Sequence, residues 1–264
     1  MAINLDAVRQ KLSQLQNVTT KQNNLWKPEQ GTQQIRIVPY QHNRENPFLE
    51  LYFHYNFGGK NVLSPITYGR PDPIVEFAEK LKSSGNKEDW KMGKKLEPTM
   101  RCYAPIIVRG KESEGIKFWG FGKTVYQELL GFITDPDYGD ISDPMNGRDI
   151  TVEFKSKEQT GKDYPETSIR IKPNTTPVTT DKNVLDKLAN QPNIGDIFKE
   201  PSYDDLMKML QDWLNPDETQ NGGEAESNKS DNQKQNKKSI ESSSTSASSV
   251  DDIGAAFDQL FNNK

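Results

Sequence analysis

Cations and aromatic rings are interleaved along residues 99–126, and this mixture of side chains suits one kind of chemistry. A ring offers a stacking face to any base and a lysine or arginine neutralises a phosphate, so the pattern favours binding of a single-stranded nucleic acid. The alternative interpretation is an ordinary sheet with a solvated basic face. The side chains concerned are Arg101, Tyr103, Arg109, Lys111, Lys117, Phe118, Trp119, Phe121 and Lys123.

Two strands and the start of a helix must position these side chains. From residue 101 to residue 109 the pattern has the period of a half-buried strand, with Cys102, Ala104, Ile106 and Val108 on the core side. GKESEG is a polar turn, IKFWGF is the returning strand, and Val125, Leu129 and Ile133 follow at helical spacing. Cys102, the only cysteine, is predicted to be a buried thiol rather than a nucleophile.

Residue patterns typical of enzymes are missing from the sequence. It has no Walker-type loop, no Gly-x-Gly-x-x-Gly and no Ser/His/Asp context, and His42 and His54 have no second metal ligand at a recognisable spacing. The acidic segment 135–149 superficially resembles a calcium loop, but the ordered aspartate spacing and the closing glutamate are absent. We therefore predict a protein that is not an enzyme and holds no metal.

The charge is unevenly distributed, although the net charge is only −4. Residues 25–125 hold 16 lysines and arginines against 11 acids, whereas residues 126–150 hold one arginine against six acids. A mildly basic middle beside acidic flanks indicates a polyanionic partner. The N-terminus lacks a signal-peptide pattern and no apolar run approaches the ~20 residues of a membrane helix, so a soluble, intracellular protein is expected.

Periodicity predicts further elements around the hairpin. Strands are expected at 33–40, 48–57, 150–157 and 167–173, and helices at 4–16, 71–85, 183–189 and 202–214. In 48–57, alternation places Tyr52 and His54 on one face and Phe53, Tyr55 and Phe57 on the other. Segment 86–98 is predicted to be a mobile basic connector, because Gly93 interrupts any helix there.

The composition changes abruptly near the C-terminus. Residues 215–250 are polar and contain no aromatic residue, which predicts a disordered linker. Residues 250–261 resume helical spacing, and an acidic amphipathic segment after such a linker favours a partner-docking motif. Its candidate binding residues are Asp251, Asp252, Ile253, Phe257, Leu260 and Phe261.

The order of these segments resembles the single-stranded-DNA-binding (helix-destabilising) protein family of T-even-type phages. The likeness is carried by LWK at 25–27, QQIRIVPY, FHYNFGGK, RCYAPIIVRG, EGIKFWGFGKTVY, the DP-x-x-G-x-D of 143–149 and DDIGAAFDQLF. The resemblance implies a mainly β protein with short helices (α+β), built on an OB-fold-like barrel with a helical subdomain. The expected domains are an N-terminal arm (1–24), the DNA-binding core (25–180), a helical extension (181–214) and a disordered acidic tail (215–264).

The resemblance also implies roles for individual residues. The DNA-binding set that we predict is Arg36, Tyr52, Trp90, Lys94, Lys95, Arg101, Tyr103, Lys117, Trp119 and Lys123. The arm is expected to mediate self-association, giving a cooperative filament on DNA or a dimer where DNA is absent, through Arg9, Lys11 and Lys21. The tail is expected to contact a phage DNA polymerase, a helicase or helicase loader, and a recombinase, in the cytoplasm of the infected host cell.

The clearest departure from the family is its zinc site. The family prototype holds zinc with one histidine and three cysteines, and His54 matches that histidine. Ser64 and the YGRPDPIVEF that follows supply no cysteine, so no zinc is expected. Apolar packing of Ile74, Phe77 and Leu81 is predicted to hold this subdomain instead.

Three hypotheses for function follow. The favoured one is a non-catalytic, sequence-tolerant single-stranded-DNA coat protein that serves replication, recombination and repair. The second is a protein-interaction adaptor of the replication or recombination machinery. The third is a metal-dependent nuclease that uses the acids of 135–149.

Overall fold

A computed structural model describes residues 11, 24–43, 45–57, 59–214, 257 and 261. This part of the chain is mixed α/β. Its strands are β1 (Leu25–Trp26), β2 (Gly31–Ile37), β3 (Leu49–Phe57), β4 (Lys60–Leu63), β5 (Thr99–Val108), β6 (Lys117–Phe121), β7 (Arg148–Lys155) and β8 (Glu166–Thr175). Its α-helices are α1 (Pro73–Ser83), α2 (Lys87–Leu96), α3 (Lys123–Thr134), α4 (Lys157–Thr160), α5 (Lys182–Ala189), α6 (Ile194–Ile197) and α7 (Tyr203–Leu214).

The chain divides into two compact units. Unit 1 comprises Met1–Phe53 and Thr99–Glu200, and unit 2 comprises His54–Pro98 and Pro201–Lys264. Unit 1 contains most of the sheet and helices α3 to α6, and unit 2 contains α1, α2 and α7. None of the described helices is long and apolar enough to cross a membrane.

Strand β5 organises the sheet of unit 1. It pairs antiparallel with β6 on one edge, where Ala104 faces Trp119, and with β2 and the first half of β3 on the other. This confirms the predicted hairpin. The pairing continues along the path β1-β6-β5-β2-β7-β8, and the predicted strands at 150–157 and 167–173 form the antiparallel pair β7–β8. Such a path does not demonstrate a closed barrel, so the OB-like barrel stays a prediction.

The core of unit 1 lies on the side of β5 that the alternation predicts. Cys102, Ala104 and Ile106 are completely buried there. Burial raises the pKa of the Cys102 thiol to about 12, so the residue is the predicted buried thiol and is not poised for nucleophilic attack. The opposite side of β5 is not a solvated face in its second half, because a cluster that includes Val38, Val178 and Val184 also buries Ile107.

The helix predicted at 71–85 is confirmed as α1 of unit 2. Pro73 occupies its first turn and Asp72 caps it by accepting hydrogen bonds from the backbone N–H groups of Ile74 and Val75. Ile74, Phe77 and Leu81 are buried in one apolar cluster, which confirms the predicted packing of this subdomain.

The prediction that 86–98 is a mobile basic connector is wrong, because Lys87–Leu96 is helix α2. Asn86 caps the helix, and Gly93 lies on its buried face. A Cβ atom at Gly93 would lie 2.6 Å from the backbone oxygen of Ala78 in α1. The glycine therefore permits close approach of two helices, and tertiary packing outweighs its poor helix propensity.

The alternation predicted along 48–57 fails near the end of β3. Asn56 has a φ of 55°, in the left-handed region, and this breaks the period of the strand. Tyr55 is 43% exposed while Phe53 and Phe57 are buried, so the face predicted to carry the three rings is only partly buried.

Several predictions fall on residues outside the described part of the chain. These are the arm residues Arg9 and Lys21, the linker 215–250, and Asp251, Asp252, Ile253 and Leu260 of the tail motif. Lys11 is described as helical and exposed, and Phe257 and Phe261 are described as helical.

Candidate nucleic-acid interface

Arg36, a predicted DNA contact, has no exposed surface. Its Nε donates to Asp149 at 2.9 Å and its Nη2 donates to the Thr176 carbonyl at 2.7 Å. Arg109 donates to the same Asp149 oxygen at 2.7 and 3.0 Å. The two guanidinium groups neutralise one carboxylate and link β2, β5 and β7, so the position of Arg36 supports a structural role rather than direct contact with DNA.

Of the two rings predicted to stack on bases, Trp119 is buried in unit 1 and Tyr103 is partly buried there. Trp119 is 1% exposed and its ring meets Trp26 edge-on at 5.8 Å. Tyr103 lies against Phe198 at 5.0 Å between ring centroids, and across Gly120, where a Cβ atom would come within 2.6 Å of the tyrosine ring. The stacking role of both rings stays a prediction, and the burial of Trp119 does not support it.

A cleft of about 750 Å³ in unit 1 brings three cations together from distant parts of the sequence. Lys27 follows β1, Arg101 lies in β5 and Lys155 ends β7. Arg101 is fixed by donating to the carbonyl of Gly120 at 2.7 Å. Lys155 forms an exposed ion pair with Glu153 at 3.2 Å, and such a pair contributes less than about 1 kcal/mol and can be exchanged for a phosphate.

The same cleft offers a ring and a helix terminus. Tyr164 lines it and is 59% exposed, and the Lys162 ammonium lies 5.7 Å from the centre of its ring, so the cleft offers a ring beside a cation. Gly122 and Thr124 also line it, and they lie at the N-terminus of α3, which has no side-chain cap. Backbone N–H groups at a helix N-terminus attract anions, and the exposed Lys123 adds a charge at that point.

Unit 2 carries a second basic and aromatic surface on helix α2. Trp90 is 48% exposed, and Lys87, Lys91 and Lys94 lie one to four residues from it on the exposed part of the helix. Lys95 is also exposed. Lys91 and Lys94 form exposed ion pairs with Glu88 and Glu97, at 2.8 and 2.6 Å. The predicted Trp90, Lys94 and Lys95 therefore are displayed on an exposed helical surface.

The other predicted residues lie apart from the cleft lining. Lys117 is 15% exposed and pairs with Glu114 at 3.3 Å. Tyr52 is half-buried in β3, in register with Met100. Sequence reasoning missed Lys27, Lys155 and Tyr164 as members of one surface, because only the folded sheet brings positions so far apart in sequence together.

A groove of about 700 Å³ elsewhere in unit 1 is unsuited to a polyanion. Its lining includes Glu45, Asp140, Leu130 and Ile133, and no lysine or arginine is found among its described lining residues. Phosphates would be repelled there, unlike at the basic cleft, which is the candidate DNA surface of unit 1.

The residues at the family's zinc position do not fit zinc. His54 Nε2 lies 2.9 Å from a carboxylate oxygen of Asp72, its Nδ1 lies 2.8 Å from the Leu96 carbonyl, and Ser64 donates to the same Asp72 oxygen. These donors and acceptors satisfy one another in a buried cluster. Within the described residues no group of three His, Cys, Asp or Glu side chains could hold a metal ion. The absence of zinc itself stays a prediction.

Cations beside an exposed ring are the side chains that suit a single-stranded nucleic acid. The chain belongs to the gp32 DNA binding protein like family, whose model matches residues 29–214. This confirms the resemblance to the phage single-stranded-DNA-binding proteins and gives the chain a DNA-binding, non-catalytic family. No curated protein matches the chain.

Proposed function

We propose that this chain coats single-stranded DNA cooperatively and without strong sequence preference during phage DNA replication, recombination and repair. The cleft that joins Lys27, Arg101, Lys155 and Tyr164 carries the proposal. Phosphate neutralisation and ring stacking both act on every nucleotide, so such a surface binds DNA without reading its sequence. The proposed location is the cytoplasm of the infected host cell.

Cooperative coating requires contact between neighbouring copies of the chain. We assign this contact to the arm, with Arg9, Lys11 and Lys21 as its charged residues; the exposure of Lys11 is compatible with that role. The acidic tail would recruit a DNA polymerase, a helicase or helicase loader, and a recombinase through residues 250–261.

The cleft is tested by removing its exposed charges and its ring. Lys27→Ala combined with Lys155→Ala, and separately Tyr164→Ala, should weaken binding to poly-dT in fluorescence titrations at several salt concentrations. The double variant removes two phosphate-binding cations and should reduce the slope of log affinity against log salt by about 1.4, whereas removing the ring should leave the slope unchanged. Removal of stacking should cost about 1–3 kcal/mol of binding free energy.

Lys182→Ala is the matched control, because Lys182 is an exposed lysine of unit 1 that does not line the cleft. If the cleft variants bind poly-dT as tightly as this control does, the cleft is not the DNA surface. Binding that remains intact in variants of both the cleft and Trp90 would favour the adaptor hypothesis.

A further inference from the structure

One residue of the tail motif has a defined position in unit 2. Phe257 is 5% exposed and belongs to the apolar cluster of that unit. Its ring meets the ring of Phe77 in α1 edge-on, with 6.0 Å between the centroids. A phenylalanine this far along the chain from the folded elements is therefore packed as a core residue.

The surface that receives Phe257 is built by two helices of unit 2. Helix α1 contributes Ile74, Phe77, Ala78 and Leu81, and helix α7 contributes Leu206 and Leu210. All of these side chains are 2% exposed or less, so the cluster is well packed. Leaving Phe257 out would uncover an apolar face on a surface that otherwise carries many charges.

Phe261 extends the contact by one helical turn. It is partly buried against the same cluster and its ring lies 4.9 Å from that of Phe257. Both residues are helical, and positions four apart share one face of a helix. The motif that fits this surface consequently has the spacing Phe-x-x-x-Phe in an acidic segment.

We infer that the α1–α7 face is a docking site for the chain's own tail tip, with Phe257 as the anchor and Phe261 as the second contact. Residues 215–250 are polar and contain no aromatic ring. This composition is that of a tether, which would let the tip reach its own unit 2. A tethered segment has an effective concentration on the order of millimolar, so a weak apolar contact is enough to keep it docked.

This inference goes beyond the proposed function and does not depend on DNA binding. Replication partners are proposed to bind the same tail tip. Its Phe257 is already buried in the apolar cluster of unit 2, and its Phe261 is partly buried there. A partner must then capture the tip in competition with the α1–α7 face.

A labelled peptide of residues 249–264 tests the site in the absence of DNA. In fluorescence anisotropy titrations it should bind the full-length Phe257→Asp chain at least tenfold more tightly than the wild-type chain, whose site is filled by its own tail. The full-length Phe261→Asp chain should show an intermediate gain, and it keeps the test valid if the first variant does not fold. Ser243→Asp adds the same charge in the linker and should behave as wild type.

Three results would overturn the inference. One is equal or undetectable peptide binding by the wild-type and both phenylalanine variants. Another is undiminished binding of a peptide that itself carries Phe257→Asp. The third is a steep loss of binding with added salt, since an apolar anchor is insensitive to salt. A failure here leaves the poly-dT titrations unaffected, so the two proposals are judged separately.

Discussion

Arg36 makes buried hydrogen bonds that stabilise the fold of unit 1. Its guanidinium is buried against Asp149, which also accepts from Arg109, and it donates to the carbonyl of Thr176. Arg36→Ala would leave Asp149 paired with Arg109, but it removes the buried hydrogen bonds of Arg36 to Asp149 and Thr176. The substitution should therefore lower the free energy of unfolding by about 1–3 kcal/mol, as measured by urea denaturation.

Arg101→Ala provides the contrast, because Arg101 lines the cleft and donates only to the Gly120 carbonyl among the described contacts. It should weaken binding of oligo-dT with a smaller loss of stability. If Arg36→Ala instead kept its stability and reduced the affinity for DNA, the sequence-based assignment of Arg36 as a DNA contact would be correct.

Asp72 gives unit 2 a pH-dependent contribution to stability. Burial by itself raises the pKa of Asp72, but hydrogen bonds from His54 and Ser64 outweigh it and hold the pKa below the ordinary 3.8. A carboxyl group with a lowered folded-state pKa adds stability that is present above its ordinary pKa and is lost as the pH falls through the folded-state value.

Asp72→Asn should therefore destabilise the protein by up to about 3 kcal/mol at neutral pH, because the amide keeps the cap of α1 but loses the charge. The difference from wild type should shrink as the pH falls below 3.8. Denaturation curves from neutral pH down to about pH 3 measure this. A difference that stays constant over that range would mean that the carboxylate charge contributes nothing.

At the level of elements, α1 and α2 depend on close contact at Gly93. Alanine is the better helix former by about 1 kcal/mol, yet a Cβ atom at this position would press on the backbone oxygen of Ala78 at 2.6 Å. Gly93→Ala should therefore destabilise unit 2 by about 1–3 kcal/mol in thermal or urea unfolding.

Gly131 in α3 is the matched control, because nothing lies within 4 Å of the Cβ position there. Gly131→Ala should stabilise the protein by up to about 1 kcal/mol. Equal and stabilising effects of both substitutions would show that α2 does not pack on α1 through Gly93.

At the scale of the whole molecule, opposite charges are segregated along the chain. Residues 25–125 carry a balance of +5, while residues from 215 to the end carry nine acids and five lysines. An acidic tail can compete with DNA for a basic surface. Neutralising Asp217, Glu218, Glu224 and Glu226 as their amides should strengthen oligo-dT binding at low salt, and screening should remove this gain at high salt.

This set of substitutions leaves Phe257 in place, whereas truncation after Asn215 would also uncover the apolar cluster of unit 2. Replacing four serines of 242–249 with asparagine controls for changes in the tail that do not alter charge. Weaker or unchanged binding by the amide variant at low salt would rule out competition between the tail charges and DNA.

Local periodicity determined the elements that have one apolar face. It predicted the β5–β6 hairpin, the buried Cys102, the packed face of α1 and the helix that begins at Lys123, since spacing along one segment sets which side chains share a side. The family also followed from the order of segments in the sequence. These features required no knowledge of what covers each element.

Tertiary structure alone decided what lies on the opposite faces and which distant residues meet. Arg36 is buried because residues that follow β8 cover the face opposite the core, and a period of two is the same whether that face meets water or protein. Trp119 is buried because it lies in register with Ala104, on the core side of the sheet. Gly93 continues a helix because α1 lies against it. Lys27, Arg101, Lys155 and Tyr164 share a cleft because strand pairing brings four separate segments together, which no local pattern can encode.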